Sequence, residues 1–126
     1  MSEQAKGTTL YSRLGGYDAI AAVADDLLPR LIAYPQLCRF WQHRGEDGVR
    51  REKQLLIDFL CASAGGPLYY RGRDMATAHR GMGISESDWP IFLNHVKATL
   101  DKFAVPARER GEALAFVESL KKDIVE

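Results

Sequence analysis

A glycine-dense stretch inside an otherwise helical pattern constrains this chain most. Residues 65–83 hold five glycines and Pro67. On both sides of that stretch apolar residues recur at helical spacing. Over residues 18–34, Ile20, Val23, Ala24, Leu27, Leu28 and Leu31 share one broad face. Over residues 47–64 the stripe is Val49, Leu55, Leu56, Phe59 and Leu60, with residues 50–53 read as mostly solvated. Later stripes run through Trp89, Phe92, Leu93, Val96, Leu100 and Phe103, then Leu114, Val117, Leu120 and Ile124. No alternating strand pattern competes with these, so the fold class is all-α. A plain helix bundle does not need a long irregular segment, and in a domain this small such a segment is usually functional.

Local signals set the expected boundaries. Residues 10–14 fit one short turn. Pro29 inside the second helix should kink or split it near residues 24–29, since a mid-helix proline costs ~3 kcal/mol. Residues 35–43 read as an aromatic corner carrying Phe40 and Trp41. Gly65 and Gly66 end the long helix, and residues 74–80 form a short helix closed by Gly81. Ser85 caps the next helix with Asp88 three residues on. Pro106 suits the first turn of the last helix. Residues 1–9 are expected to be a flexible N-terminal segment, and residues 10–126 a single domain.

Charge argues against several partners. With 17 basic and 17 acidic side chains the formal net charge is zero, which offers no attraction for nucleic acid or a membrane surface. No stretch nears the ~20 apolar residues that span a bilayer, and the first residues lack a signal core. The expected setting is the cytoplasm, with a monomer or weak dimer. Cys38 and Cys61 are far apart in sequence and read as two buried thiols in a reducing compartment. GxSxG, HExxH and Walker patterns are missing. Asp25 and Asp26 are adjacent, so they point to different helix faces and make a poor acid/base dyad.

Three histidines remain. His79 ends the short helix, with Met75 and Ala76 one turn back as an apolar floor and Gly81 and Gly83 letting the chain turn away. Such an imidazole suits a metal held from one side; it also suits a partner for the helix C-terminal dipole. His95 lies beside an apolar stripe and reads as half-buried with its nitrogens satisfied. His43 reads as exposed. Arg71, Arg73 and Arg80 surround the glycine segment, as a solvated surface or as an anion site.

Taken together, Gly65-Gly66-Pro67, Tyr70, Gly72-Arg73, Met75, Ala78-His79-Arg80-Gly81 and Gly83-Ile84 resemble the truncated haemoglobins, group I in particular. Leu10-Tyr11 with Leu14-Gly15-Gly16 is similar to that family's short first helix and glycine pair, and Val105-Pro106 agrees in spacing. The resemblance spans roughly residues 10–125. It implies a two-over-two helical sandwich around one haem b, with His79 ligating the iron. It implies that Tyr70, Arg73 and Arg80 lie near the propionates or haem edge. Met75, Leu56, Ile84 and Phe92 would line the pocket, and Phe40 and Trp41 would pack on the haem.

The distal side departs from the family pattern. Many group I members hydrogen-bond the gas ligand through a tyrosine on the second helix and glutamines on the next. Spacing places Leu28 at the tyrosine position and Glu52 and Leu56 at the glutamine positions, while Leu55 stands where some members carry a ligating histidine. Lys53 and Gln54 enter the pocket only if the helix shifts register. Glu52 is expected to swing to solvent or pair with an arginine such as Arg50 or Arg51, because desolvation disfavours a lone carboxylate. The implied function is reversible binding of oxygen, carbon monoxide or nitric oxide, with an unidentified reductase keeping iron ferrous. The alternative is nitric-oxide dioxygenation or peroxidase-like chemistry at the same iron. A lost donor on oxygen is worth ~1–3 kcal/mol, so weak oxygen retention is expected.

Overall fold

The computed structural model describes residues 9–126; the N-terminal segment expected over residues 1–9 lies outside the described residues except for Thr9. Thr9 caps the first helix, α1 (Leu10–Leu14), by accepting the Ser12 N–H at 3.1 Å. The remaining helices are α2 (Tyr17–Ala33), α3 (Glu46–Ser63), α4 (Met75–His79), α5 (Asp88–Lys102), α6 (Ala107–Ser119) and α7 (Lys121–Ile124), with a 3₁₀ turn at Cys38–Trp41. The described residues contain no strand.

α2 packs on α3 along one side and on α5 along another, α5 packs on α6, and α1 bridges α2 and α6. Helices therefore pair two over two, as the stripes require. Three apolar clusters hold the pairs together. Ile20 and Ala24 meet Ile57 and Cys61 between α2 and α3. Leu27, Leu31 and Leu37 meet Val96 and Leu100 between α2, the corner and α5. Trp89 and Leu93 meet Ile124 between α5 and α7.

Pro29 does not split α2, which runs unbroken through it. The physical reason is burial on both sides: Leu27, Leu28 and Leu31 are all under one-tenth exposed. Each contributes ~1.5–3 kcal/mol, enough together to outweigh a proline cost of ~3 kcal/mol. Two ionic ties then fix the pair directions. Asp26 of α2 accepts from Arg30, from Thr99 of α5 at 2.8 Å and from Lys102 at 2.8 Å. Lys102 and Arg30 hold its carboxyl well below the usual carboxylate range, with Thr99 assisting against burial. Asp25 pairs instead with Lys53 of α3 at 2.6 Å, so the adjacent carboxylates do face different helices.

Glycine 66 shows why α1 sits where it does. A Cβ there would lie 2.5 Å from the Tyr11 ring, and Tyr11 N–H donates to the Ala64 carbonyl at 2.9 Å. The end of α3 and the start of α1 thus need a residue without a side chain. The capping pair at Ser85 and Asp88 forms, but it closes a separate turn and α5 begins at Asp88 itself. Cys61 is fully buried, and that burial pushes its thiol up; Cys38 is half-buried, its Sγ donating to the Pro35 carbonyl, so only one of the two thiols is buried as expected.

Candidate functional site

Between the helix pairs lies a cavity of about 880 Å³, within the range of ~300–1,000 Å³ typical of cofactor sites. Leu28 of α2 lines it and is 3% exposed. Along α3 the lining residues include Glu52, Leu55, Leu56 and Phe59. Phe40 and Trp41 come from the 3₁₀ corner, Tyr70 and Arg73 from the glycine segment, Met75 and His79 from α4, Ile84 from the following loop and Phe92 from α5. Arg80 does not line the cavity; it is exposed past the end of α4. It sits beyond His79 in extended backbone, φ −61° and ψ 132°, just as the chain turns away.

The His79 ring is half-buried and held in one orientation. Its Nδ1 lies 2.9 Å from the Met75 carbonyl one turn back. A carbonyl only accepts, so Nδ1 carries the proton and Nε2 keeps its lone pair. Gly81 and Gly83, at φ 83° and 75°, then take backbone conformations that a side chain would strain. The loop they form is tied to the far end of the chain: Glu126 N–H donates to the Ile84 carbonyl at 2.8 Å. α4 itself packs on α7.

The glycine segment is ordered by Tyr70. Its hydroxyl donates to the Arg73 carbonyl at 2.6 Å, and its ring meets Phe59 edge-on at 5.2 Å. Burial pushes the Tyr70 phenol up, with Arg73 opposing. A side chain on Gly72 would collide with that ring and hydroxyl, which explains the glycine.

Glu52 pairs with an arginine as expected, though the partner is Arg44 and not Arg50 or Arg51. Oε1 accepts from Trp41 Nε1 at 3.0 Å and from Arg44 at 2.7 Å. Arg50 binds Asp47 instead. Two donors replace the lost hydration, so the carboxylate stays on the cavity wall. Lys53 and Gln54 stay out: Lys53 is taken by Asp25, and Gln54 donates to Tyr17 at 2.9 Å and to Asp58 at 3.0 Å. Gln42 and His43 are exposed and off the wall. His95 is half-buried edge-on to Tyr34, its ring centroid 5.0 Å away; burial and Arg30 push its pKa down.

Sequence reasoning missed Arg44, Arg51 and Phe116, which also line the cavity. Arg51 was hidden in a run of charged residues read as solvated; its distance of four residues from Leu55 was the available signal. Arg51 and Arg73 have no ion-pair partner among the described residues.

These residues fit a haem. The wall is mostly hydrocarbon, as a porphyrin face requires. One imidazole offers a free Nε2, which suits a metal that brings its own four equatorial donors. Two guanidiniums without ion-pair partners are available for two carboxylates at the cofactor edge.

A two-over-two helical sandwich closed around such a cavity, with a single locked imidazole at its wall, defines a haem protein of the globin class. The chain belongs to the bacterial-like globin family, whose sequence model matches residues 9–126. It is similar to a group 1 truncated hemoglobin of Tetrahymena thermophila, 28% identical over 118 residues, covering 94% of this chain and 95% of the relative. A group 1 truncated hemoglobin of Mycolicibacterium paratuberculosis is 28% identical over 121 residues, covering 96% and 87%. Among solved structures, the truncated hemoglobin of Tetrahymena pyriformis in its Fe(III) form superposes with a TM-score of 0.84 at 26% identity, covering 94% of this chain and 98% of that one. No helix among the described residues is long and apolar enough to cross a membrane.

Proposed function

We propose that this globin binds diatomic gases reversibly at a haem b held by His79, with an unusually apolar wall across from the iron. The observation that carries the reading is the His79 lock: Nδ1 against the Met75 carbonyl leaves Nε2 as the donor at the cavity. When bound, haem would supply an iron able to take a small gas ligand. Every other task falls to the chain. His79 would hold the iron through Nε2, and the Met75 carbonyl behind it would raise the basicity of the ring. Arg73 and Arg51 are placed to hold the carboxylate edge, a role we transfer from Arg80 to Arg51. Met75, Ile84, Phe92, Leu28 and Leu56 would exclude water from the cavity. Phe40 and Trp41 close the corner.

Leu28 and Leu56 offer no donor, and two of the aromatic donors on the cavity wall are engaged. Trp41 N–H is already given to Glu52, and Tyr70 O–H to Arg73. That supports weak retention of oxygen over retention assisted by a hydrogen bond, and it weighs against dioxygenation, which needs oxygen held in place. A cytoplasmic reductase that keeps iron ferrous is part of this proposal.

Absorption spectroscopy tests it. The purified chain mixed with haem should develop a Soret band. His79→Ala should lose haem readily and lack a histidine-ligated ferrous spectrum. Unaltered proximal ligation in that variant would overturn the assignment.

A further inference from the structure

Glu52 occupies the centre of the α3 stripe that faces the cavity. At about 100° per residue, Gly48, Glu52, Leu56, Phe59 and Ser63, all on the wall, fall within about 40° of one line. Arg51 lies about 100° off that line, at the flank. Glu52 is anchored there through one oxygen only. Trp41 and Arg44 both donate to Oε1, and Oε2 has no hydrogen-bond partner among the described residues. Trp41 Nε1–H and one Arg44 N–H are given to Oε1, while Lys53 and Gln54 are engaged away from the wall. The polar capacity left on Glu52 itself, one turn before Leu56, is therefore that of an acceptor.

We infer that Glu52 makes this pocket selective for small neutral ligands that carry their own proton, of the hydrogen sulfide class, over ligands that only accept hydrogen bonds, such as oxygen and azide. The inference deepens the haem reading above and rests on it. A ligand bearing an S–H or O–H donates to Oε2 and gains a charge-assisted hydrogen bond. A ligand with only lone pairs, azide included, meets the same oxygen with nothing to share. The cations nearby do not reverse this: Arg44 is already neutralised by Glu52, and Arg51 stands at the rim. A hydrogen bond to a charged group is worth about 10- to 100-fold in affinity. The Glu52 side chain is 33% exposed, so the lower end, about tenfold, applies.

The test is a titration of the ferric holoprotein with sulfide and with azide, followed by absorption, in the wild type, Glu52→Leu and Glu52→Gln. In Glu52→Leu the ratio of sulfide to azide affinity should fall about tenfold or more, since the acceptor goes and Trp41 and Arg44 are released as donors. In Glu52→Gln the amide keeps the partners of Oε1 and presents N–H in place of Oε2, so azide should tighten while haem content stays the same. An unchanged ratio in both variants overturns the inference and leaves the haem reading standing. A wild-type chain that takes up no haem overturns both.

Discussion

Asp88 holds the aromatic corner in place, and its loss should be costly. The side chain is almost wholly buried, the residue 1% exposed, at the start of α5. It accepts from Ser85 N–H at 2.9 Å, from Gln36 at 2.8 Å and from Arg39 at 2.7 Å. The last two bonds pin residues 36–41, and so Phe40 and Trp41, against α5. Burial by itself would raise the carboxyl's pKa; the Ser85 N–H, Gln36 and Arg39 donors outweigh it and hold the group well below the usual carboxylate range. In Asp88→Asn, Gln36 and Arg39 are exposed enough to rehydrate, so each contributes a surface value of ~0–1 kcal/mol. The Ser85 N–H is less accessible and counts for ~1.5–3 kcal/mol. The sum is about 1.5–5 kcal/mol, or a fall in Tm on the order of 10 °C for a domain of this size. The effect has a sign in pH. Because the folded pKa is depressed, the stabilisation is complete above the unfolded carboxylate pKa of about 4 and is lost as acid approaches the folded value. Thermal melts of wild type and Asp88→Asn, followed by circular dichroism, should therefore differ fully near about pH 7 and begin to converge only below about pH 4. A difference below about 0.5 kcal/mol at neutral pH, or one that stays constant into acid, would refute the reasoning.

Two further outcomes follow from the cavity and the core. Leu28→Tyr puts a hydroxyl where Leu28 now lines the wall, and should slow oxygen release by about 5- to 150-fold, read by stopped-flow mixing of the oxygenated protein; an unchanged off-rate would mean that Leu28 does not face the ligand. A thiol reagent such as a disulfide chromophore should titrate Cys38 in the native protein and reach Cys61, which is fully buried with its thiol pushed up, only after denaturant is added; equal reactivity of both would contradict the packing of α2 on α3.

The helices were legible because burial imposes a period. Leu27, Leu28 and Leu31 share one face in any α-helix, and all three are in the core. The glycine segment was legible for the complementary reason: Gly66 and Gly72 stand where a side chain would strike Tyr11 and Tyr70. His79 gained its role only from the residues around it, since an imidazole near a helix end has a duller explanation. Long-range partners were not legible. Nothing local says that Arg13 reaches Glu109 and Glu112, or that Asp88 binds Gln36 and Arg39 across about fifty positions. Arg80 is the converse case: it neighbours His79 in sequence, yet it is exposed and is not among the residues lining the cavity.

Glu52 joins these two kinds of information. The periodicity read residues 50–53 as solvated; only the family resemblance put Glu52 on the cavity wall, where desolvation called for solvent or an arginine partner. It stays because Trp41 and Arg44 come from a corner distant in sequence, and that corner is where it is because Asp88 fastens it to α5. A buried carboxylate at the start of one helix thus determines whether a second carboxylate can remain at the site. The cavity wall is then not merely apolar. It carries the Glu52 carboxylate among its leucines, and the order of ligand affinities should report on that carboxylate more directly than on the leucines beside it.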